Sequence, residues 1–445
     1  MGSILSETNR AKRLMRYLFF LLVFILNAIS LNGQDSTDYY QPRTLSFEDR
    51  TYVPYIKTVI LEKQGTPLSL PVINLNSEDK LELKFDLLGD EIRTYSYKII
   101  HCTPQWEPSI LSENDYIDGF YTDQISDYKH SLNTLQPYWH YRLEFPNQQM
   151  RPLLSGNYLM IVFDNIHPDS VILTRRFYVL NQRLGFKTNI HRSTLIENRN
   201  SHQEADFSIL LNGLPVSNPY GDIDVIIQQN RDPNFTIQGL RPVFANGESL
   251  DYNHDDINNF EGGSEYRNID LRTTRFLTQF VEQFGTDTIS KLTTVLAKPD
   301  IRRNTMRYTA DNDINGNYII KIYEGRDANL EGDYLWVTFR LKGPENFTQA
   351  PIYIEGAFTE YALRNLYRLN FNPESNYFEK TFLLKQGYYN YRFLTLPQSG
   401  KATQIETEGN HYETLNEYYF LAYWKEAGTR YAQLVGLHLA TAGGF

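Results

Sequence analysis

A single cysteine, Cys102, stands in a chain of 445 residues. That excludes an intramolecular disulfide and any cysteine-ligated zinc or iron–sulfur centre. Positive charge is in deficit: 43 Lys and Arg face 53 Asp and Glu, for a net charge of −10. A basic face for gripping a phosphate backbone is not available, so the sequence predicts no nucleic-acid partner. No apolar run approaches the ~20 residues that a membrane-crossing helix needs. Helical stripes are also missing, since no stretch of about 12 residues repeats its apolar side chains at helical spacing. Sequence signatures of several enzyme classes are lacking too. There is no G-x-S-x-G, no phosphate-binding glycine loop and no H-E-x-x-H, and the nine histidines are scattered.

What the chain has in abundance is aromatic. Its 33 Tyr, 26 Phe and 4 Trp favour strands, because flat and branched side chains pack well on a pleated surface. Alternation with period two is frequent. Leu81, Leu83, Phe85 and Leu87 alternate with Glu82, Lys84 and Asp86, which predicts one buried and one wetted face. Ile223, Val225 and Ile227 repeat the pattern, as do Leu335, Val337, Phe339 and Leu341. Tyr158–Phe163 is apolar on both faces and reads as a central strand covered on both sides. Glycine-centred turns separate the runs at Leu154–Asn157, Ile314–Asn317 and Lys385–Tyr388. The expected fold class is all-β, with tandem immunoglobulin-like or early-set β-sandwiches after an N-terminal signal peptide.

Four segments are expected. Residues 1–33 read as a signal peptide: Arg10, Lys12, Arg13 and Arg16 precede the nine-residue apolar run Leu18–Leu26, with small residues after it. Met15 is an alternative start to Met1. Cleavage after Gly33 would deepen the net charge to −13, because it removes those four basic residues and Glu7. No transmembrane segment is then left in the mature chain. Residues 45–181 form an N-terminal sandwich and 182–343 a middle sandwich. Residues 239–267, rich in Asn, Asp and Gly, read as a long exposed loop within the middle one. Residues 346–437 form a C-terminal early-set-like sandwich. The polar stretches Asn181–Arg183 and Gly343–Asn346 read as linkers.

Candidate chemistry is sparse. His101 and Cys102 suggest a thiol–imidazole dyad, but neighbours on a strand point to opposite faces and cannot share a proton. Asp311-Asn-Asp313-Ile-Asn315-Gly316 opens like a calcium loop. The bidentate glutamate required at the twelfth position is Ile322, inside an expected strand Tyr318–Tyr323, and the flanks look like strands, so an Asn-Gly hairpin turn is the expected reading. Carboxylates are plentiful, but nothing singles out an acid pair for glycoside hydrolysis. Phe445 is an aromatic end of the kind seen in outer-membrane barrel strands, but the runs are too short and too often apolar on both faces for a barrel. The sequence predicts no catalytic, cofactor-binding or metal residues, and it assigns no partner-binding residues.

A set of words in fixed order carries a family resemblance. It runs His101-Cys-Thr-Pro-Gln-Trp106-Glu-Pro-Ser109, Asp115-Tyr116 with Gly119-Phe120, and Asp127-Tyr128. It continues with Ser131, Asn133-Thr134, Tyr138-Trp-His140-Tyr141, Phe145-Pro-Asn147 and Ser155-Gly-Asn-Tyr158. Ala310–Gly316 and Leu415–Tyr418 follow later in the chain. Together they resemble the plug protein of the type IX secretion system. The resemblance implies a non-enzymatic periplasmic component at the inner face of the outer membrane. Its implied partner is the giant outer-membrane β-barrel translocon, whose periplasmic opening it closes while no cargo is in transit.

A second resemblance lies in Tyr353–Tyr361, Tyr377–Leu384 and Gln386–Phe393, which are similar to the early-set sandwich appended to glycogen-active enzymes. The recurrent feature is the Gly387 turn feeding Tyr389, Tyr391 and Phe393, and the likeness implies an alternative function, a periplasmic glycan-binding module using exposed aromatics of the C-terminal sandwich. Tyr361 stands where a Trp is usual in that family. Recovery of a membrane barrel would favour the first function, and retention on a glycan gel the second.

Overall fold

The computed structural model describes residues 44–344 and 348–442. The expected signal peptide and Phe445 lie outside the described residues. The fold is all-β, and six main sheets pair face to face around three apolar cores.

In the first sandwich, one sheet runs in the spatial order Arg50–Thr51, Val171–Leu180, Gly156–Asp164, Tyr95–Cys102, Asp123–Ile125. The facing sheet is Ile56–Lys63, Leu81–Leu88, Tyr138–Phe145, Asp127–His130. Gly156–Asp164 is buried along its whole length, as a strand with neighbours on both edges and cover on both faces should be. Aromatic side chains fill the space between the sheets; Phe85 stacks on Tyr141 at 4.9 Å, with Tyr95 edge-on to both. The alternation at Leu81–Leu88 holds with one exception. Asp86 lies on the predicted wet face but is fully buried, because that face docks against the third sandwich.

The second sandwich pairs the sheet of Gly185–Arg192, His202–Leu210, Ser249–Asp251 and Phe244–Ala245 with a sheet ordered Thr236–Gln238, Ile223–Gln229, Asn416–Trp424, Gln433–Ala442. Its last two strands therefore come from the end of the chain. The third sandwich, from Arg267–Asp270 to Gly387–Thr395, is inserted between them and the rest. This corrects the expected boundaries. Tyr334–Lys342 and Ile352–Glu355, on either side of the presumed linker at 343–346, belong to opposite sheets of one sandwich and share one core. Asn416–Trp424, expected in the C-terminal domain 346–437, pairs instead with Ile223–Gln229, and Gln433–Ala442 pairs with it in turn. Period-two patterning identifies strands but carries no information about which strand each one pairs with.

The segment 239–267 is likewise not an exposed loop. Ser249–Asp251 and Asn259–Glu261 both pair with His202–Leu210. Leu250, Tyr252 and Phe260 enter the core, where Tyr252 stacks on Phe207 at 4.5 Å. Its Asn and Asp content serves turns between very short strands.

The stem of the insertion is two crossing backbone segments. Gly262 N–H donates to Ser201 O, and His411 N–H donates to Gly263 O. A Cβ on Gly262 would lie 2.0 Å from the His411 carbonyl oxygen, backbone against backbone. Gly262→Ala is therefore expected to cost about 2–3 kcal/mol. Gly247→Ala, where a Cβ meets nothing within 4 Å, is expected to be neutral. Urea unfolding of the two variants checks the pair, and equal midpoints would refute this account of the stem.

The sandwiches contact one another in all three pairings. First and second share an apolar seam of Tyr178, Leu180, Ile226, Tyr419, Leu421, Tyr423 and Leu434, and Tyr423 O–H donates to Asn157 Oδ1 at 2.7 Å. The junction at 181–184 is clamped, with Asn181 N–H on Leu434 O and Leu184 N–H on Val435 O. Second and third meet at Phe235, Leu394 and Ala402. First and third meet through polar groups described below. Among the described residues no helix is long and apolar enough to cross a membrane.

Candidate functional site

Where the three sandwiches converge they leave a cavity of about 460 Å³. The first contributes Glu48, Trp106 and Arg175 among others, the second Arg231 and Asn234, and the third Tyr318 and Glu360 to Arg364. Its charges are joined in a chain. Arg364 bridges Glu48 at 3.0 Å and Glu360 at 2.9 Å, and Glu360 also receives Arg175 at 2.9 Å and the Thr51 hydroxyl at 2.6 Å. Burial pushes the Glu360 carboxyl up, but Arg175, Thr51 and Arg364 more than offset it, leaving it below the ordinary carboxylate range. The Arg176 guanidinium lies 4.4 Å over the Trp106 ring.

The backbone around the cavity is under local constraint. Leu68, Trp106, Arg231, Glu360 and Tyr361 all have φ between 52° and 64°, and all five line it. Non-glycine residues in this left-handed region cost of order 1 kcal/mol each and persist where surrounding structure holds them. Five such residues thus meet at one junction. Its lining offers arginine forks, carboxylates and aromatic faces, a set suited to holding a polar chain segment.

The remaining candidates fall elsewhere. His101 and Cys102 occupy opposite faces of strand Tyr95–Cys102. His101 packs among the rings of Tyr116, Tyr158 and Tyr431, and Cys102 among Leu159 and Ile161. Burial pushes the thiol up to about 12 and the imidazole down to about 4, both away from an ion pair. Cys102 is 1% exposed, so a thiol-reactive dye is expected to leave the native chain unlabelled and to label it once unfolded. Fast labelling of the native chain would contradict this placement.

At Ile314–Asn317, Asn315 and Gly316 have φ of 49° and 77°, and Asn317 N–H closes the turn on Ile314 O. Asp313 accepts backbone N–H groups from Asn315 and Tyr266, so its carboxylate caps the turn. This corrects the expected hairpin: the segment before the turn forms no strand, and the strand after it is Tyr318–Ile320. The aromatics that follow the Gly387 turn are core: Tyr389 and Tyr391 are 2% exposed and Phe393 is fully buried. Tyr361 lines the junction cavity.

One further group has metal-ligand composition. His191, Glu204 and Asp206 place their ligand atoms within 4.8 Å of one another on the second sandwich, apart from the cavity.

Residues 56–181 match the family model of the type 9 secretion system plug protein 1st domain. The matched span is the first sandwich, and it contains all but the later words of the resemblance read from the sequence. Among solved structures, a hypothetical protein from Parabacteroides merdae superposes with a TM-score of 0.86 at 29% identity, covering 89% of this chain and 100% of that one. The inserted three-sandwich architecture is therefore shared with that protein end to end. An alkylpurine DNA glycosylase from Pseudomonas fluorescens, bound to DNA, reaches a TM-score of only 0.16 and supports no comparison. No curated protein matches.

Proposed function

We propose that this chain, whose first sandwich is a type 9 secretion system plug domain, is a non-enzymatic periplasmic component of that machinery. It binds the outer-membrane β-barrel translocon and closes its periplasmic opening while no cargo is in transit. The match over residues 56–181 is the observation that carries this reading.

The architecture suits the task. A body that blocks a wide water-filled channel must resist deformation, and three sandwiches contacting one another pairwise are stiffer than three in a row. Stiffness here comes from closure, through the inserted third sandwich and the polar interface that ties it back to the first. The acidic balance of the chain suits a partner rim carrying Lys and Arg. The aromatics after the Gly387 turn, which carry the second resemblance, are packed inside the third sandwich and offer no sugar platform themselves.

An affinity pull-down tests the proposal. Membranes are solubilised in mild detergent, the chain is captured through a C-terminal tag, and co-purifying proteins are identified by mass spectrometry. A large outer-membrane β-barrel is expected at near-stoichiometric yield. Recovery of the chain with no such barrel would refute the proposal.

A further inference from the structure

The outer face of the second sandwich holds a second site. Strand Gly185–Arg192 pairs antiparallel with His202–Leu210 in a register that sets His191 opposite Glu204. Period two puts Asp206 on the same face as Glu204. On the other side of Glu204 its register partner is Asn259.

The three ligand groups differ in exposure. The Glu204 side chain is 1% exposed, against 20% for Asp206 and 27% for His191. His191 Nδ1 lies 2.8 Å from the Arg192 carbonyl oxygen. A carbonyl only accepts, so Nδ1 carries a proton, and in the neutral ring Nε2 is a bare lone pair. That lone pair faces Asp206 Oδ2 at 3.1 Å and Glu204 Oε1 at 4.0 Å. Either a proton on Nε2 or a metal ion among the three atoms reconciles this arrangement.

Outer bonds hold each ligand in place. Glu204 Oε2 accepts the N–H and the hydroxyl of Thr194, both at 2.8 Å, while Oε1 is the oxygen turned toward His191. Asp206 Oδ1 accepts Asn258 Nδ2 at 2.9 Å. The Asn259 amide oxygen is buried and makes no hydrogen bond. Fixing a ligand's far side from behind, while its near side stays free, is how proteins orient metal ligands.

We propose that His191, Glu204 and Asp206 bind one divalent transition-metal ion of the zinc or manganese type. One imidazole nitrogen and two carboxylates suit such borderline ions. The ion compensates an almost fully buried carboxylate and ties the strand carrying His191 to its neighbour. The alternative occupant is a proton on Nε2, which would make the group a plain ion pair.

Isothermal titration of the chelator-treated chain with Zn²⁺, and separately with Mn²⁺, tests the proposal. At least one of the two metals is expected to bind at one ion per chain. Asp206→Asn and His191→Gln are each expected to weaken that binding about tenfold or more, while His254→Gln, a histidine outside the cluster, leaves it unchanged. Circular dichroism of each metal-free variant reports whether it is folded, and Asp206→Asn is nearly isosteric. Absence of saturable binding by both metals, or affinity unchanged in folded Asp206→Asn, would overturn the proposal in favour of the ion pair.

Discussion

Lys385→Met is expected to lower stability by about 3 kcal/mol, and adding Asp86→Asn to recover most of that loss. Lys385 and Asp86 are 1% and 0% exposed and meet at 2.7 Å across the first and third sandwiches. Asp86 also receives His140 Nδ1 and the Tyr334 hydroxyl, each at 2.7 Å. Lys385 in turn donates to the Asn329 carbonyl and lies 4.0 Å over the Tyr138 ring. Removing the ammonium alone strands a carboxylate in a place that water does not reach. Removing both charges leaves an amide that Tyr334 and His140 can still address.

The same pair sets an acid limit. Burial raises the Asp86 carboxyl, but Lys385 and His140 together hold it below the ordinary range. A depressed folded value means that its contribution is complete above pH ~4, the unfolded value, and is lost as pH falls through the folded one. Urea midpoints of the wild type, the single and the double variant check the account. Equal losses in single and double variants would refute it.

Arg392→Met is expected to be more severe, costing about 5 kcal/mol, a large share of the stability of an ordinary domain. Arg392 is 3% exposed and joins Glu355 at 2.9 Å and Asp232, both fully buried. Its guanidinium lies 4.5 Å over Phe235 and 4.8 Å over Tyr266. Asp232 and Phe235 come from the second sandwich and Glu355 from the third, so one side chain pins the two together. Burial drives the Glu355 carboxyl well above its ordinary range, with Asp232 adding to the rise against the pull of Arg392. Arg392→Lys is expected to recover little, since a point charge cannot bridge two carboxylates and stack on two rings. Soluble yield and thermal unfolding of both variants check this. A Lys variant as stable as the wild type would contradict it.

Strands and their buried faces were legible in the sequence because period two reports burial directly: Leu335, Val337, Phe339 and Leu341 are all buried, as their pattern predicts. Pairing was not legible. Nothing local to Asn416–Trp424 says that it returns to Ile223–Gln229 across an inserted sandwich. Asp86 was read as wet for a related reason, since its partner Lys385 lies 299 residues away. The Asn- and Asp-rich segment 239–267 misleads because strands of two or three residues are mostly turn. The His191 cluster left a faint trace, an E-x-D alternation opposite a histidine, visible only once the register of the two strands is known. The junction cavity left none, as its walls come from segments spread between Glu48 and Arg364.

Channel conductance measures the central claim most directly. The isolated outer-membrane translocon is inserted in a planar bilayer, and the purified mature chain is added to the periplasmic side. Stepwise loss of conductance that saturates at one chain per channel, and reverses on washout, is the predicted result. Conductance unchanged at saturating protein would contradict it.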